Sequence, residues 1–392
     1  MSYVVHGDEA SRRLARESVQ RRWHGEQAPV RHIDVLLLLS ALVLSGMGLL
    51  FITSATSSRL AAMGVDPHTY LTRQTVSLGV GLVAMALAAA LDYRRYRAWA
   101  PVVYLLSVGL LVWVLAQGTV VNASRSWLQL GGLQLQPSEL AKPALIVALA
   151  ALFHERREDA LGLRALLAAL ALAAVPMALI LLQPDFGTFI VFCAISFGVL
   201  LLARVRVRYL VALVLLSVAA FGAVLQSGAL EDYQVARLTS FVNPGSANPD
   251  DIYNVSQAQI AIGAGQLTGQ GLFNGSQTTL AYVPENHTDF IFTVVGEETG
   301  FLGAALLLGA FAVLLWRALR IAALSRDTLG TLLAGGIIAV FAFQVFISIG
   351  MAIGIMPVTG LPLPFVSYGG TSLIASWIMI GLLQNVHMRR LS

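Results

Sequence analysis

Ser138-Glu139-Leu140-Ala141-Lys142-Pro143-Ala144-Leu145-Ile146-Val147 puts an acid and an amine into a stretch with the length and hydrophobicity of a membrane helix. Lys142 is the single lysine of the chain, and every other formal cation is an arginine. An ammonium at membrane depth costs at least ~2.5–3.5 kcal/mol unless it finds a carboxylate or a water-filled cavity. Glu139, three residues earlier, shares its helical face and is the obvious partner in sequence.

The rest of the chain agrees with that setting. Of its 392 residues 57% are hydrophobic and 12% charged, with a mean hydropathy of +0.75, which excludes a soluble domain. Runs of ~20 apolar residues, enough to cross a ~30 Å hydrocarbon core, recur throughout. Ten spans are predicted, at roughly 33–56, 71–91, 98–117, 137–153, 163–182, 186–203, 209–227, 289–315, 330–354 and 370–387. Residues 33–392 therefore read as one all-α, ten-helix polytopic membrane domain, and residues 1–32 as a flexible, basic cytoplasmic tail without a cleavable signal peptide.

Orientation follows from the arginines. With both termini in the cytoplasm, 20 cations fall inside and 5 outside, the five being Arg59, Arg73, Arg125, Lys142 and Arg237. The net charge of +4 is thereby accounted for by topology anchors, and no nucleic-acid partner is implied. Cys193 lies mid-span and reads as a small core hydrophobe.

Two connections on the outer face are long. The first, about 117–136, carries Arg125-Ser126-Trp127. The second, about 228–288 between spans seven and eight, holds an alternating stretch, Ser256–Ile262, that suits a short interfacial helix before a glycine-rich turn. No internal repeat of the kind that marks inverted-repeat transporters is evident.

The chemistry-bearing side chains gather on that same side. Pro284-Glu285-Asn286-His287-Thr288-Asp289 leads into span eight, with Thr288 as a plausible N-cap and Asp289 in the first helical turn. Lys142 lies ~7.5 Å below its own helix start, so it either snorkels to the headgroups or pairs with Asp289 or Glu139 in an outward-open polar cavity. Glu297 and Glu298 follow Asp289 ~12 Å deeper, which suggests a polar groove running inward. Asp185 sits at a helix break, as an N-cap or a site residue, and Gly360–Ser372 is too rich in proline and glycine to be helical. Trp127 reads as an interfacial anchor or as an aromatic stacking platform. No phosphate-cradling loop, paired-cysteine metal spacing or His-Glu-x-x-His occurs.

Gln136–Lys142, Gln183–Thr188, Pro284–Phe292, Gly296-Glu297-Glu298 and Gly360–Gly370 resemble the signature segments of the shape, elongation, division and sporulation (SEDS) family. Gly354–Pro364 looks more like the elongation branch (RodA) than the division branch (FtsW). Ser348, where elongation relatives often carry asparagine, and Ser126, where many carry arginine, depart from the pattern. The resemblance implies a peptidoglycan glycosyltransferase that polymerises lipid II on the outer face of the bacterial cytoplasmic membrane, partnered by a class B penicillin-binding protein. It implies an essential acid at Asp289, with Lys142 and Glu139 beside it and Trp127 in the adjoining loop.

Such a transfer needs a base for a sugar hydroxyl and cations for a departing diphosphate. Asp289 is the candidate base. The candidate substrate contacts are Lys142, Glu139, Trp127, Arg125, Arg73, Arg59, Asp185, Glu285, His287, Thr288 and Ser367, supplemented if need be by a divalent cation such as magnesium or manganese. A lipid flippase, or a non-catalytic membrane scaffold for the transpeptidase, are the alternatives.

Overall fold

The computed structural model describes residues 32–121, 124–130, 133–154, 162–227, 249–280 and 282–390. Residues 1–31 of the tail, Arg156, Arg157 and Arg237 lie outside the described residues. Among the described residues, helices of 17 or more residues occupy the ten ranges expected as spans. They are α1 (Val35–Ala62), α2 (Thr69–Ala90), α3 (Tyr93–Gln117), α4 (Pro137–His154), α5 (Leu163–Leu181), α6 (Phe186–Leu202), α7 (Val207–Ser227), α10 (Ile291–Ala323), α11 (Thr328–Ala352) and α12 (Gly370–Met388). Six of these, α1, α2, α3, α5, α10 and α11, are long and apolar enough to cross a membrane. Of the others, α6 stops at 17 residues, and the Glu139 and Lys142 charges lower the hydropathy of α4.

Helix starts are set by aspartates. Asp34, Asp92, Asp185 and Asp327 cap α1, α3, α6 and α11 by accepting the N–H of Leu37 (3.0 Å), Arg94 (3.0 Å), Thr188 (3.0 Å) and Gly330 (2.9 Å). The centre of the bundle is α4, α11 and α12, buried along nearly their whole length, whereas α2 and α3 bury few of their residues. Small residues let the helices close on one another: a Cβ at Gly381 of α12 would stand 2.5 Å from the Met85 carbonyl of α2.

Between α3 and α4 lies a three-stranded antiparallel sheet, β1 (Thr119–Val121), β2 (Ser124–Leu130) and β3 (Leu133–Leu135), in the order β1-β2-β3. It delivers the chain to α4, where the Gln136 N–H donates to the Thr371 hydroxyl (3.1 Å) and that hydroxyl donates to the Gln134 carbonyl (3.2 Å). The long connection after α7 holds α8 (Pro249–Ala264), longer than the short helix expected at 256–262, a glycine-rich turn, and the single-turn α9 (Ser276–Thr279).

The opposite end of the bundle is rich in arginine and closed by polar contacts. Arg317 of α10 grips the Asp34 carboxylate (Nη2 2.5 Å, Nε 2.9 Å). Gln384 accepts from the Asp34 N–H (2.9 Å) and donates to its carbonyl (2.7 Å).

Candidate functional site

At the sheet end of the bundle, α4 opens with Pro137 at its first position and Glu139 in its first turn, an arrangement that suits both residues. One turn on, Lys142 Nζ lies 2.6 Å from Glu139 Oε1, with the lysine side chain fully buried and that of Glu139 nearly so. Lys142 therefore does not snorkel, and of the two partners expected it takes Glu139. The outward-open cavity expected around it is corrected as well, because Lys142 and Glu139 are both buried inside the bundle.

Asp185, at the start of α6, feels both members of that pair. Its carboxylate accepts from the Thr188 N–H (3.0 Å) and from Gln136 Nε2 (3.4 Å). Desolvation pushes its pKa up, against the pull of the Thr188 donors and of Lys142. Burial thus favours the neutral form of Asp185, close to the Lys142–Glu139 pair.

The segment 355–369 threads past this cluster without forming a helix, as its prolines and glycines require. A Cβ at Gly187 would stand 2.4 Å from the Thr359 carbonyl, and a Cβ at Gly360 (φ +69°) would stand 3.4 Å from Asp289 Oδ2. Residues 359–361 therefore pass between the start of α6 and Asp289. Further along, Gln74 of α2 donates to the Ser367 carbonyl (3.2 Å) and the Tyr368 N–H donates to the His287 carbonyl (2.9 Å). The Ser367 hydroxyl is buried and accepts from the Leu363 N–H (2.9 Å), so it closes a turn.

Residues 284–290 form successive turns ahead of α10. The Thr288 hydroxyl donates to the Glu285 carboxylate (2.8 Å), and the Phe290 N–H donates to the Glu285 carbonyl (3.1 Å). Thr288 is thus not the helix cap: Phe290 holds that position and α10 begins at Ile291, which leaves Asp289 on the turn and outside the helix, half-buried. Glu285 forms the local frame by accepting from both ends of the turn.

His287 lies among aromatic rings, 5.1 Å from Tyr70 and 5.9 Å from Tyr368 between centroids, and the two tyrosines meet edge to face at 4.8 Å. Burial pushes the His287 pKa down; the Glu285 charge opposes this and Arg59 reinforces it. Arg59 and Arg73 are exposed at the ends of α1 and α2, and the Arg73 charge acts on the Tyr368 hydroxyl, opposing the rise in its pKa that burial causes. Tyr70, Gln74 and Tyr368 were not among the residues expected at the site. Tyr70 was legible in principle, because it precedes Arg73 by three residues on one helical face.

Trp127 is half-buried in β2 opposite Thr119, whose hydroxyl donates to its carbonyl (3.1 Å). The backbone of Arg125 belongs to the same strand, and its side chain lies outside what is described. Glu297 and Glu298 do not line a groove. Both are buried, Glu297 against α9 and Glu298 against the Ser54 hydroxyl of α1, each engaged away from Asp289. Among the described residues, no three His, Cys, Asp or Glu side chains gather as a ligand set for a metal ion.

Known proteins are similar to this one along nearly the whole chain. The family model described as cell cycle protein, for FtsW, RodA and SpoVE, matches residues 34–391. The peptidoglycan glycosyltransferase MrdB of Escherichia coli (strain K12) is 37% identical over 359 residues, covering 92% of this chain and 94% of that protein. Stage V sporulation protein E of Bacillus subtilis (strain 168) is 36% identical over 356 residues, covering 90% and 96%. Among solved structures, a chain from a peptidoglycan synthase complex that coordinates polymerization and crosslinking superposes with a TM-score of 0.77 at 32% identity, covering 92% of this chain and 99% of that one. The rod shape determining protein RodA of Thermus thermophilus gives 0.68 at 31% identity, covering 92% and 98%. With a match spanning all the site segments described above, this chain belongs to the FtsW, RodA and SpoVE family of cell cycle proteins.

Proposed function

We propose that this protein is a peptidoglycan glycosyltransferase that polymerises lipid II into glycan strands during cell elongation, with Asp289 as its general base. The observation that carries this reading is the placement of Asp289. It stands half-buried on a turn between Gly360 and the start of α10, at the end of the bundle where Arg59 and Arg73 are exposed. The 4-hydroxyl of one sugar gives its proton to the Asp289 carboxylate as its oxygen bonds to the anomeric carbon of the other substrate. The bond from that carbon to the lipid diphosphate breaks, and its electron pair leaves with the phosphate, so the transfer inverts the anomeric centre. Arg59 and Arg73, with Arg125, are the cations available to the leaving group, and Trp127 offers an aromatic face to a sugar.

One electrostatic feature favours a base at this position: helix-dipole stabilisation of an anion is strongest in the first turn, and Asp289 precedes it. Lys142 and Glu139 then serve as a buried brace behind the substrate surface. No step here is routed through magnesium or manganese; such an ion would be held by one carboxylate together with the substrate diphosphate and would add positive charge against the leaving group.

The membrane placement is part of the proposal: ten spans, both termini in the cytoplasm, and the active site outside the bacterial cytoplasmic membrane. The antiparallel helices α1 and α10 are joined at two levels, Asp34 to Arg317 and Ser54 to Glu298. These levels are about twenty residues apart on each helix, or ~30 Å at ~1.5 Å per residue, the thickness of a hydrocarbon core. The arginine-rich level belongs inside. A class B penicillin-binding protein is the proposed partner, supported by the likeness to a chain of a complex that both polymerises and crosslinks.

The deciding experiment is polymerisation of lipid II by purified protein in detergent. Asp289→Asn is expected to abolish it, by at least ~100-fold, while leaving folding and partner binding intact. Undiminished glycan from that variant would remove Asp289 from catalysis. Absence of polymer from the unaltered protein with its partner would favour a flippase or a scaffold.

A further inference from the structure

Glu297 is a fully buried carboxylate that no step of the transfer uses. Its two oxygens accept from four neutral donors, all on one turn of chain about twenty residues earlier. Oε1 accepts from the Gln277 N–H (2.7 Å) and the Ser276 hydroxyl (3.4 Å). Oε2 accepts from the Thr278 N–H (2.9 Å) and the Thr278 hydroxyl (2.7 Å). Four donors saturate a carboxylate, which explains how it is buried without a cation against it.

The approach is built in on both sides. A Cβ at Gly275 would stand 2.8 Å from Glu297 Oε2, so a bare backbone lets the carboxylate reach α9. The main-chain carbonyls of Glu297 and Glu298 accept from the N–H groups of Gln270 (2.9 Å) and Gly271 (3.0 Å). Just beyond, α10 breaks at Gly300 (φ +62°), and the freed N–H groups of Phe301 and Leu302 donate to the carbonyls of Gln266 (2.9 Å) and Leu267 (3.1 Å). The turn 266–271 thus fills the break in α10.

The consequence lies in what this closure encloses. Thr278 and Glu297 are 19 residues apart in sequence, and the chain between them carries Pro284–Asp289. The Tyr282 N–H continues the ring by donating to the Gln277 carbonyl (3.2 Å), and the Glu285 turn and the first two turns of α10 complete it. Without the contacts of Glu297, the earlier end of this segment is tied to α10 only by the backbone bonds of residues 266–271, so the loop that carries Asp289 is longer. With them the loop closes at Ser276–Thr278, and its freedom is correspondingly smaller.

We propose that Glu297 is a positioning residue for the transfer: its carboxylate closes the neck of the loop that presents Asp289. This rests on the reading of Asp289 as the base. Displacement of a reacting group by about 1 Å costs on the order of 100-fold in rate, so loosening the neck acts on turnover rather than on substrate capture.

The test compares Glu297→Ala, Glu297→Gln and Thr278→Val, assayed as full-length protein with lipid II and followed by hydrogen exchange. Glu297→Ala is expected to lower kcat at least ~10-fold with KM changed less than ~3-fold. Glu297→Gln, which turns an amide NH2 toward donors, is expected to fall between it and the unaltered protein. Thr278→Val removes one donor and should cost a few-fold. Exchange in 282–290 should quicken in the same order while α4 and α11 stay protected. If Glu297→Ala does not fold, the two milder variants decide. Unchanged kcat in both, or losses confined to KM, overturns the proposal. Asp289→Asn run in parallel separates the two readings: an inactive Asp289→Asn with fully active neck variants sinks only the neck, whereas an active Asp289→Asn sinks both.

Discussion

Lys142 Nζ and Glu139 Oε1 sit 2.6 Å apart, one helical turn from each other, with solvent excluded from both side chains. Removing one partner of such a pair leaves an uncompensated buried charge, which costs ~3–5 kcal/mol, whereas replacing both by apolar side chains is often close to neutral. Lys142→Met should therefore lower the thermal midpoint in detergent sharply, and adding Glu139→Leu should restore most of it. A double variant as unstable as the single one would show that the pair is not the unit of stability.

Asp185 combines a cap with a poorly solvated charge. Asparagine keeps the acceptor for the Thr188 N–H (3.0 Å) and removes the charge that burial disfavours. Asp185→Asn is expected to leave the midpoint unchanged or raised, and Asp185→Ala to cost ~1 kcal/mol through the lost cap. Equal losses in both would mean that the ionised carboxylate itself stabilises the fold.

His287 predicts a pH dependence with a definite sign. Its pKa in the folded protein lies below the ordinary 6.5, chiefly through desolvation, so the unfolded chain binds the proton first. The stability it contributes is complete above 6.5 and is lost as the pH falls below that value toward the depressed one. Thermal midpoints measured from about pH 7.5 down to about pH 5 should drop less steeply for His287→Gln than for the unaltered protein. Parallel profiles would count against a buried neutral imidazole.

Gly300 and Gly309 lie on one helix and differ in what a methyl group would meet. At Gly300, with φ +62°, a Cβ would stand 2.4 Å from the Gly269 nitrogen, while at Gly309 it would meet nothing within 4 Å. Gly300→Ala should destabilise by ~2 kcal/mol or more, and Gly309→Ala should stabilise by up to ~1 kcal/mol. Chemical denaturation of the two variants side by side provides the check.

Local pattern carried much of the reading. The spacing of Glu139 and Lys142 implied their pairing because residues three apart on a helix are neighbours whatever else the fold does. Thr288 was misplaced as a cap because a threonine and an acid before an apolar run look alike in a capped helix and in a turn. The Glu285 contacts, which only the folded turn displays, settled it. Glu297 and Glu298 suggested a groove because periodicity places them below Asp289, yet it cannot reveal donors at Ser276–Thr278 or on Ser54.

The sequence by itself determined the helical membrane character, the shared helical face of Glu139 and Lys142 and the clustering of functional segments, since hydropathy, helical spacing and arginine placement are properties of neighbouring residues. Only the tertiary structure decided that Gly360 abuts Asp289, that Tyr70, His287 and Tyr368 meet, and that Glu297 reaches back to α9. Those contacts join residues about 20 to 300 positions apart, and they exist because packing, loop closure and the satisfaction of buried polar groups are solved across the whole bundle at once.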